Sequence, residues 1–315
     1  MLIAVSACLL GQKVRFDGGH KHDRFVTESL GTYAEYLPFC PEQLAFGTPR
    51  PSIRLVRDNA LLWVESNKTH EDLSNTMEGA IAQEMQSLQD HQLSGIIFKS
   101  RSPSCGMGSA KVYLTNGYAE GKDDGVFVRA CKAAYPLVPM EEEARLIDPW
   151  LRENFVMQLF AYDAFETFKA NQPAMRDLVA FHTRYKFLLQ AKDEQRYREL
   201  GGIVAHHDGQ NFTALLSEYE TVFKTAIAQK SSIKRNRNVL EHMAGFFKRQ
   251  LSSGEKATLH EQIEDYAKKI TPIITPLSTI SLFAKKYEIR YLLNQAFLEP
   301  YPKELALRSH IGSGK

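Results

Sequence analysis

Three of the chain's four cysteines stand beside turn-forming residues, in Ser6-Ala7-Cys8-Leu9-Leu10-Gly11, Phe39-Cys40-Pro41-Glu42 and Ser102-Pro103-Ser104-Cys105-Gly106. Each follows an apolar or extended run and precedes a chain reversal, so a sheet can bring the thiols to one edge. Three thiolates on one point make a metal or cluster site with a vacant coordination position, a device for chemistry rather than a closed structural staple. Pro41 and Pro103 fix the backbone beside two of them, while Gly11, Gly106 and Gly108 supply room and unusual dihedrals. Cys131 differs. It occupies an apolar-spaced position in the run from Val126 to Lys132 and is expected in the core.

Two polar residues gain meaning from these neighbours. Glu42 lies two residues after Cys40, and Ser102 three before Cys105. A carboxylate near a cationic centre can act as a base toward water, and a hydroxyl can position or pass a proton. Taken alone, Glu42 is an ordinary acid of a helix first turn and Ser102 an ordinary turn residue before proline. Zinc is a rival occupant, with His20 or His22 as a fourth ligand; thiolate softness suits zinc and iron–sulfur equally. Arg50 and Arg54 either bind a phosphate or pair with acids such as Asp58.

At 315 residues and 43% hydrophobic, the chain can bury a large core and is expected to form two domains. Aromatic and charged contents of 10% and 24% exclude a disordered chain. No apolar run approaches the ~20 residues that span a bilayer. The first residues read as a core strand, not a signal peptide. The cysteine spacing is not that of a disulfide framework, so a reducing cytoplasm is expected.

Residues 1–147 alternate between strand and helix. Leu2–Ala7 reads as a strand, Thr27–Tyr36 as helical leading into Leu37–Cys40, and Ile53–Val56 with Ala60–Val64 as a hairpin around Asp58-Asn59. An amphipathic helix is predicted over Glu71–Asp90, a strand over Gly95–Lys99, a helix over Val126–Ala134 and a last strand over Leu137–Pro139. Strand–helix–strand order of this kind predicts an α/β domain with a parallel sheet, in which ligands bind beyond the carboxyl ends of the strands. Cys8 and Cys105 fall just past those ends, with Cys40 placed likewise. The gaps of 32 and 65 residues between the cysteines are then bridged by the fold, not by a local motif.

Residues 148–315 read as all-α. The predicted helices are Leu151–Asn171, Ala174–Gly201, Thr213–Ala228, Ile233–Leu251, Ala257–Ile270, Ser278–Lys286 and Ile289–Leu298. Gly201-Gly202, His207-Asp208-Gly209, Ser252-Ser253-Gly254 and the Pro272/Pro276 pair separate them, and the final SHIGSGK is expected to fray. The first half carries 15 Lys+Arg against 18 Asp+Glu, the second 24 against 19. Within the second, 224–250 holds Lys224, Lys230, Lys234, Arg235, Arg237, Lys248 and Arg249 against Glu241 alone. Such a stretch is either a solvated helical face or a phosphate-binding one.

The runs SACLLG, CPE followed by Gly47-Thr48-Pro49-Arg50-Pro51, and FKSRSPSCG resemble the TudS-type thiouracil desulfidases over about residues 1–145. The remainder, through FHTRYKFLLQAK, the stretch from Asn236 to Lys248 and the run from Gln295 to Pro302, resembles the helical YbgA-like domain. Chains joining the two look like tRNA 4-thiouridine desulfidases. The resemblance implies a 4Fe–4S cluster on Cys8, Cys40 and Cys105 with its fourth iron free of protein, and Glu42 and Ser102 where the family's acid/base pair acts. Non-redox hydrolysis of a thiopyrimidine C–S bond would need no redox partner and no membrane.

A thiolated tRNA would draw on phosphate contacts from Lys234, Arg235, Arg237, Lys248, Arg249, Arg184 and Lys186. Phe246, Phe247, Tyr185 and Tyr219 either stack a splayed base or fill the core. His182 and His242 are expected to be buried, hydrogen-bonded helix residues. The alternatives are the same chemistry on free 2- or 4-thiouracil or a thionucleotide, and a non-enzymatic iron–sulfur or zinc protein that binds RNA or acts as a sensor.

Overall fold

The first unit, Met1–Leu146, is built from β1 (Leu2–Ser6), β2 (Glu35–Phe39), α1 (Pro41–Phe46), β3 (Ile53–Asp58), β4 (Leu61–Ser66) and α2 (Ser74–Gln89), followed by β5 (Gly95–Phe98), β6 (Ala110–Leu114), β7 (Ala119–Asp123), α3 (Val126–Ala134) and β8 (Met140–Glu142). It comes from a computed structural model that describes residues 1–206, 209 and 211–310. Most of the expected His207-Asp208-Gly209 connection, and the expected frayed tail beyond His310, lie outside the described residues.

The first sheet has the order β2-β1-β5-β8 and is parallel throughout, as the strand–helix alternation predicts. The Ile3–Val5 and Ile96–Phe98 side chains are wholly buried, the continuous apolar run that a parallel sheet covered on both faces requires. Phe39, Phe98 and Phe127 meet in its core with centroids 4.9 to 6.3 Å apart, and Cys131 packs beside them with its Sγ 3.7 Å from Met85 Sδ. Each such buried side chain contributes about 1.5–3 kcal/mol.

The second sheet, β4-β3-β6-β7, combines two hairpins joined by a parallel β3–β6 pair. The helix α2 serves both sheets: Met77 packs on the second, Met85 and Leu88 on the first, and Ile81 touches both.

Three expectations change. Thr27–Tyr36 is no regular helix but a π turn over Phe25–Ser29 and a 3-10 turn over Leu30–Thr32. Gly31 weakens helix there, and the Val26 carbonyl is taken by the Tyr36 hydroxyl at 2.5 Å. The last strand is Met140–Glu142, three residues beyond the predicted one. Pro139 has no N–H to give the ladder, and its carbonyl accepts from Ile96 N at 2.8 Å. The hairpin β6–β7 was not predicted, although Asn116-Gly117 marks its turn, with Gly117 at φ 86°.

The second unit, Ile147–Lys315, is helical: α4 (Pro149–Ala170), α5 (Met175–Lys192), α6 (Glu194–Ala205), α7 (Phe212–Ile227), α8 (Ile233–Ala244), α9 (Ser253–Ala267), α10 (Ile274–Lys286) and α11 (Arg290–Leu293). The single helix expected over Ala174–Gly201 is two, because Asp193 leaves helical dihedrals and caps α6 through Arg196 N at 3.1 Å. The helix α8 stops at Gly245, and α9 begins at Ser253 through a Ser252/Glu255 capping box. The predicted Ile289–Leu298 helix shrinks to one turn.

Phe165, Phe168, Phe181, Tyr185, Tyr219 and Phe223 form one aromatic core across α4, α5 and α7. A buried ionic network closes the bundle. Arg308 donates through Nε to Glu153 at 2.9 Å and through Nη1 to the Phe297 carbonyl, while Tyr301 OH approaches Glu153 at 3.4 Å. Lys192 donates to Asn154 Oδ1 at 2.7 Å, and burial pulls its ammonium down to about 7. No helix among the described residues is long and apolar enough to cross a membrane.

Candidate active site

Each cysteine of the trio is delivered by the end of a first-sheet strand. The strand β1 runs into a 3-10 turn, Ala7–Leu10, that carries Cys8 and ends on Gly11 at φ 87°. The strand β2 runs into Cys40, which caps the N-terminus of α1; Pro41 occupies the first helical position, where no amide is needed. Beyond β5, the turn of residues 99–105 carries Cys105. The three thiols line one cavity of ≈ 370 Å³ together with Glu42, Arg50, Lys99, Ser102 and Ser104.

The Cys105 turn is gripped from two sides. The N-terminal amides of α3 need acceptors, and those of Val126 and Phe127 take the Pro103 and Ser104 carbonyls at 3.1 and 3.0 Å. That contact is so close that a Cβ on Gly125 would sit 2.4 Å from Ser104 O, so only glycine fits. From the other side, the acidic run ending β8 supplies carboxylates. Glu142 accepts from Met107 N at 3.1 Å and Ser109 Oγ at 2.6 Å; Glu143 accepts from Ser100 N at 2.6 Å and pairs with Lys99.

Glu42 and Ser102, 60 residues apart, meet: the Ser102 hydroxyl donates to Glu42 Oε1 at 2.7 Å. A residue that sequence reasoning passed over joins them. The buried Ser104 donates to the same Oε1 at 2.7 Å and lies 3.3 Å from Cys105 Sγ. The spacing Ser102-Pro103-Ser104 was its only signal. The other oxygen, Oε2, accepts from Arg50 Nη2 at 3.0 Å, and the Arg50 side chain is 2% exposed. Arg50 Nη1 also holds the carbonyls of Val14 and Gly47, each at 2.9 Å. Arg50 therefore pairs with Glu42 and Arg54 with Glu65, neither with Asp58.

Burial pushes all three thiols up, Cys8 to about 12. Ionised sulfur at these positions calls for a cation among them. His20 and His22 do not line the cavity: His22 Nε2 is 2.9 Å from Thr27 Oγ1, and His20 Nδ1 accepts from His22 N.

The cations of the helical unit separate into two groups. Lys224 is buried between Glu166 and Glu220; Arg235 donates to the Ala191 carbonyl at 3.1 Å, and Arg237 pairs with Glu264. These are paired within the helical unit, although Arg237 remains exposed. Lys234, Lys248, Arg249 and Arg184 are exposed, and Lys186 is half-buried. Tyr185, Tyr219 and Phe247 are 5%, 0% and 0% exposed and belong to the core, whereas Phe246 is 40% exposed and stacks on Tyr291. His182 is hydrogen-bonded to Tyr219 at 3.1 Å and lowered to about 4 by burial, but His242 is exposed, against expectation.

An α/β unit whose parallel strands empty three thiols, a carboxylate and two hydroxyls into one cavity, followed by a helical unit, defines the class of protein. The chain belongs to the 2-thiouracil desulfurase family, whose model matches residues 3–143. A second model, a protein of unknown function (DUF1722), matches residues 186–302. The uncharacterized protein YbgA of Escherichia coli (strain K12) is 26% identical over 157 residues, 50% of this chain and 93% of that protein. The uncharacterized protein YbbK of Bacillus subtilis (strain 168) is 30% identical over 132 residues, 38% of this chain and 81% of that protein. Among solved structures, a 4Fe-4S-dependent thiouracil desulfidase, TudS, is 29% identical; the match covers 46% of this chain and 91% of that one, with a TM-score of 0.38.

Proposed function

We propose that the protein is an iron–sulfur-dependent, non-redox desulfidase that hydrolyses the C–S bond of a thiolated pyrimidine, with 4-thiouridine of tRNA as the substrate. The carrying observation is the single cavity shared by Cys8, Cys40, Cys105 and the Glu42–Ser102–Ser104 cluster. The donor set fits a 4Fe–4S cluster. Its three soft thiolates on one cavity would leave one iron of such a cluster without a protein ligand. The absence of both histidines from the lining supports the same choice. Four free thiols accord with a reducing cytoplasm.

When bound, the cluster supplies a Lewis-acidic iron for the substrate's soft sulfur. The rest falls to the chain. Glu42, held by Arg50, takes a proton from the attacking water. Ser102 and Ser104 fix the orientation of Oε1 and return a proton toward the ring nitrogen or the departing sulfur. One C–O bond forms, one C–S bond breaks, and sulfur leaves as sulfide with no change of oxidation state, so no redox partner is required. Anaerobic purification should yield about four iron and four sulfide per chain; one zinc per chain and no iron would overturn the reading.

The tRNA assignment draws on the exposed cations of the helical unit. Lys248 and Arg249 line a groove with His242 and Phe246, a cationic and aromatic surface of the kind that takes phosphate and base. Replacing both by Ala should lower the salt slope of thiolated-tRNA binding by about two and leave free thiouracil turnover unchanged. An equal loss on both substrates would return the helical unit to a structural role.

A further inference from the structure

One carboxylate sits where the pattern of its helix calls for an apolar side chain. On α2 the inward stripe runs Met77, Ala80, Ile81, Glu84, Met85 and Leu88, and all but Glu84 are apolar. Desolvating a carboxylate is costly unless a partner compensates, and burial accordingly shifts the Glu84 carboxyl upward. Its partner is the backbone of a candidate ligand: Cys40 N donates to Glu84 Oε1 at 2.8 Å across 44 residues.

The Cys40 carbonyl accepts from Leu44 N at 3.1 Å in the first turn of α1, and its amide is the group that Glu84 holds. Cys40 leaves helical dihedrals at φ −156° and ψ 87°, makes no side-chain cap of its own, and is followed by a proline that has no amide. Cys40 is only half-buried, unlike Cys8 and Cys105, and it borders a second cavity of ≈ 370 Å³ that Glu84 also lines. Water therefore reaches this turn from a side that the main cavity does not open. The same turn carries Glu42 two residues on.

We propose that Glu84 is a positioning residue: by holding the Cys40 amide it fixes the third thiol of the cluster site and, through α1, the carboxylate Glu42. The proposal rests on the desulfidase reading of the main cavity and deepens it.

The test compares Glu84→Met, which keeps the length and helical preference but removes the acceptor, with Glu84→Gln, which restores an acceptor oxygen. Both are made in the full chain, reconstituted anaerobically and challenged with EDTA while cluster absorbance is followed. Glu84→Met should lose iron about 10–100-fold faster than wild type, and Glu84→Gln should stay within about threefold of it. Hydrogen exchange on metal-free wild-type protein should show a protected Cys40 amide, a readout that stands even where Glu84→Met does not fold.

Wild-type retention in Glu84→Met, loss in Glu84→Gln as fast as in Glu84→Met, or an unprotected Cys40 amide would each overturn the proposal. A wild-type chain carrying zinc would instead overturn the reading of the main cavity, and the exchange experiment would still report on Glu84.

Discussion

Replacing Glu42 by Gln should lower the desulfidation kcat by about 10²–10⁴-fold, the range lost when a positioned general base is removed, and should leave iron and sulfide content at the wild-type level. The separation follows from geometry. Glu42 Oε1 receives Ser102 and Ser104 at 2.7 Å each, and Oε2 receives Arg50 at 3.0 Å, so the carboxylate is aimed by three donors and is not itself one of the three thiols. An amide keeps the shape but loses the charge and presents an NH₂ to donors that need acceptors. The buried Arg50 then lacks its counter-ion, so the melting temperature should fall as well. Single-turnover rates on loaded protein separate that fall from the chemical effect. A loaded Glu42→Gln protein that turns over at the wild-type rate would remove Glu42 from the reaction.

The largest stability effect is expected in the helical unit. Arg308→Leu should destabilise it by about 3–5 kcal/mol, because Glu153 would remain buried with its charge uncompensated. Both side chains are 6% exposed, and Arg308 also satisfies the Phe297 carbonyl. The double replacement Glu153→Leu/Arg308→Leu should recover most of the loss, since an apolar pair of similar volume carries no desolvation penalty. The two tryptophans allow the measurement: Trp63 lies in β4 of the first unit and Trp150 in α4 of the second. In a Trp63→Phe background, urea unfolding followed by Trp150 fluorescence reports on the helical unit alone. A loss below 1 kcal/mol for Arg308→Leu would mean that the pair is solvated.

Much of the first sheet was readable because its strands are short apolar runs bounded by turn residues, and β1, β5 and α3 fall where periodicity places them. The gathering of Cys8, Cys40 and Cys105 followed from the parallel topology, which sends the carboxyl ends of β1, β2 and β5 the same way. What escaped was long-range pairing. Nothing near Ser104 announces that its hydroxyl meets Glu42, and nothing near Arg50 announces the same carboxylate, because both contacts are made only once the sheet is assembled. The cationic stretch misled for a related reason. Formal charge cannot tell Lys224, sunk between two glutamates, from Lys248 at the surface. Phe247 and Phe246 are adjacent, yet one helical step turns the first inward and leaves the second outside.

The order in which the chain leaves the ribosome bears on the Glu153–Arg308 pair. Its halves are 155 residues apart, one at the start of α4 and one near the last described turn. The thiol-lined cavity has all of its walls once Glu143 has emerged, and domains close one after another during synthesis. The cofactor can therefore be installed while the helical unit is still a nascent segment. The aromatic core of α4, α5 and α7 has all its rings once Phe223 has emerged, whereas buried Glu153 waits for its counter-ion until Arg308 follows.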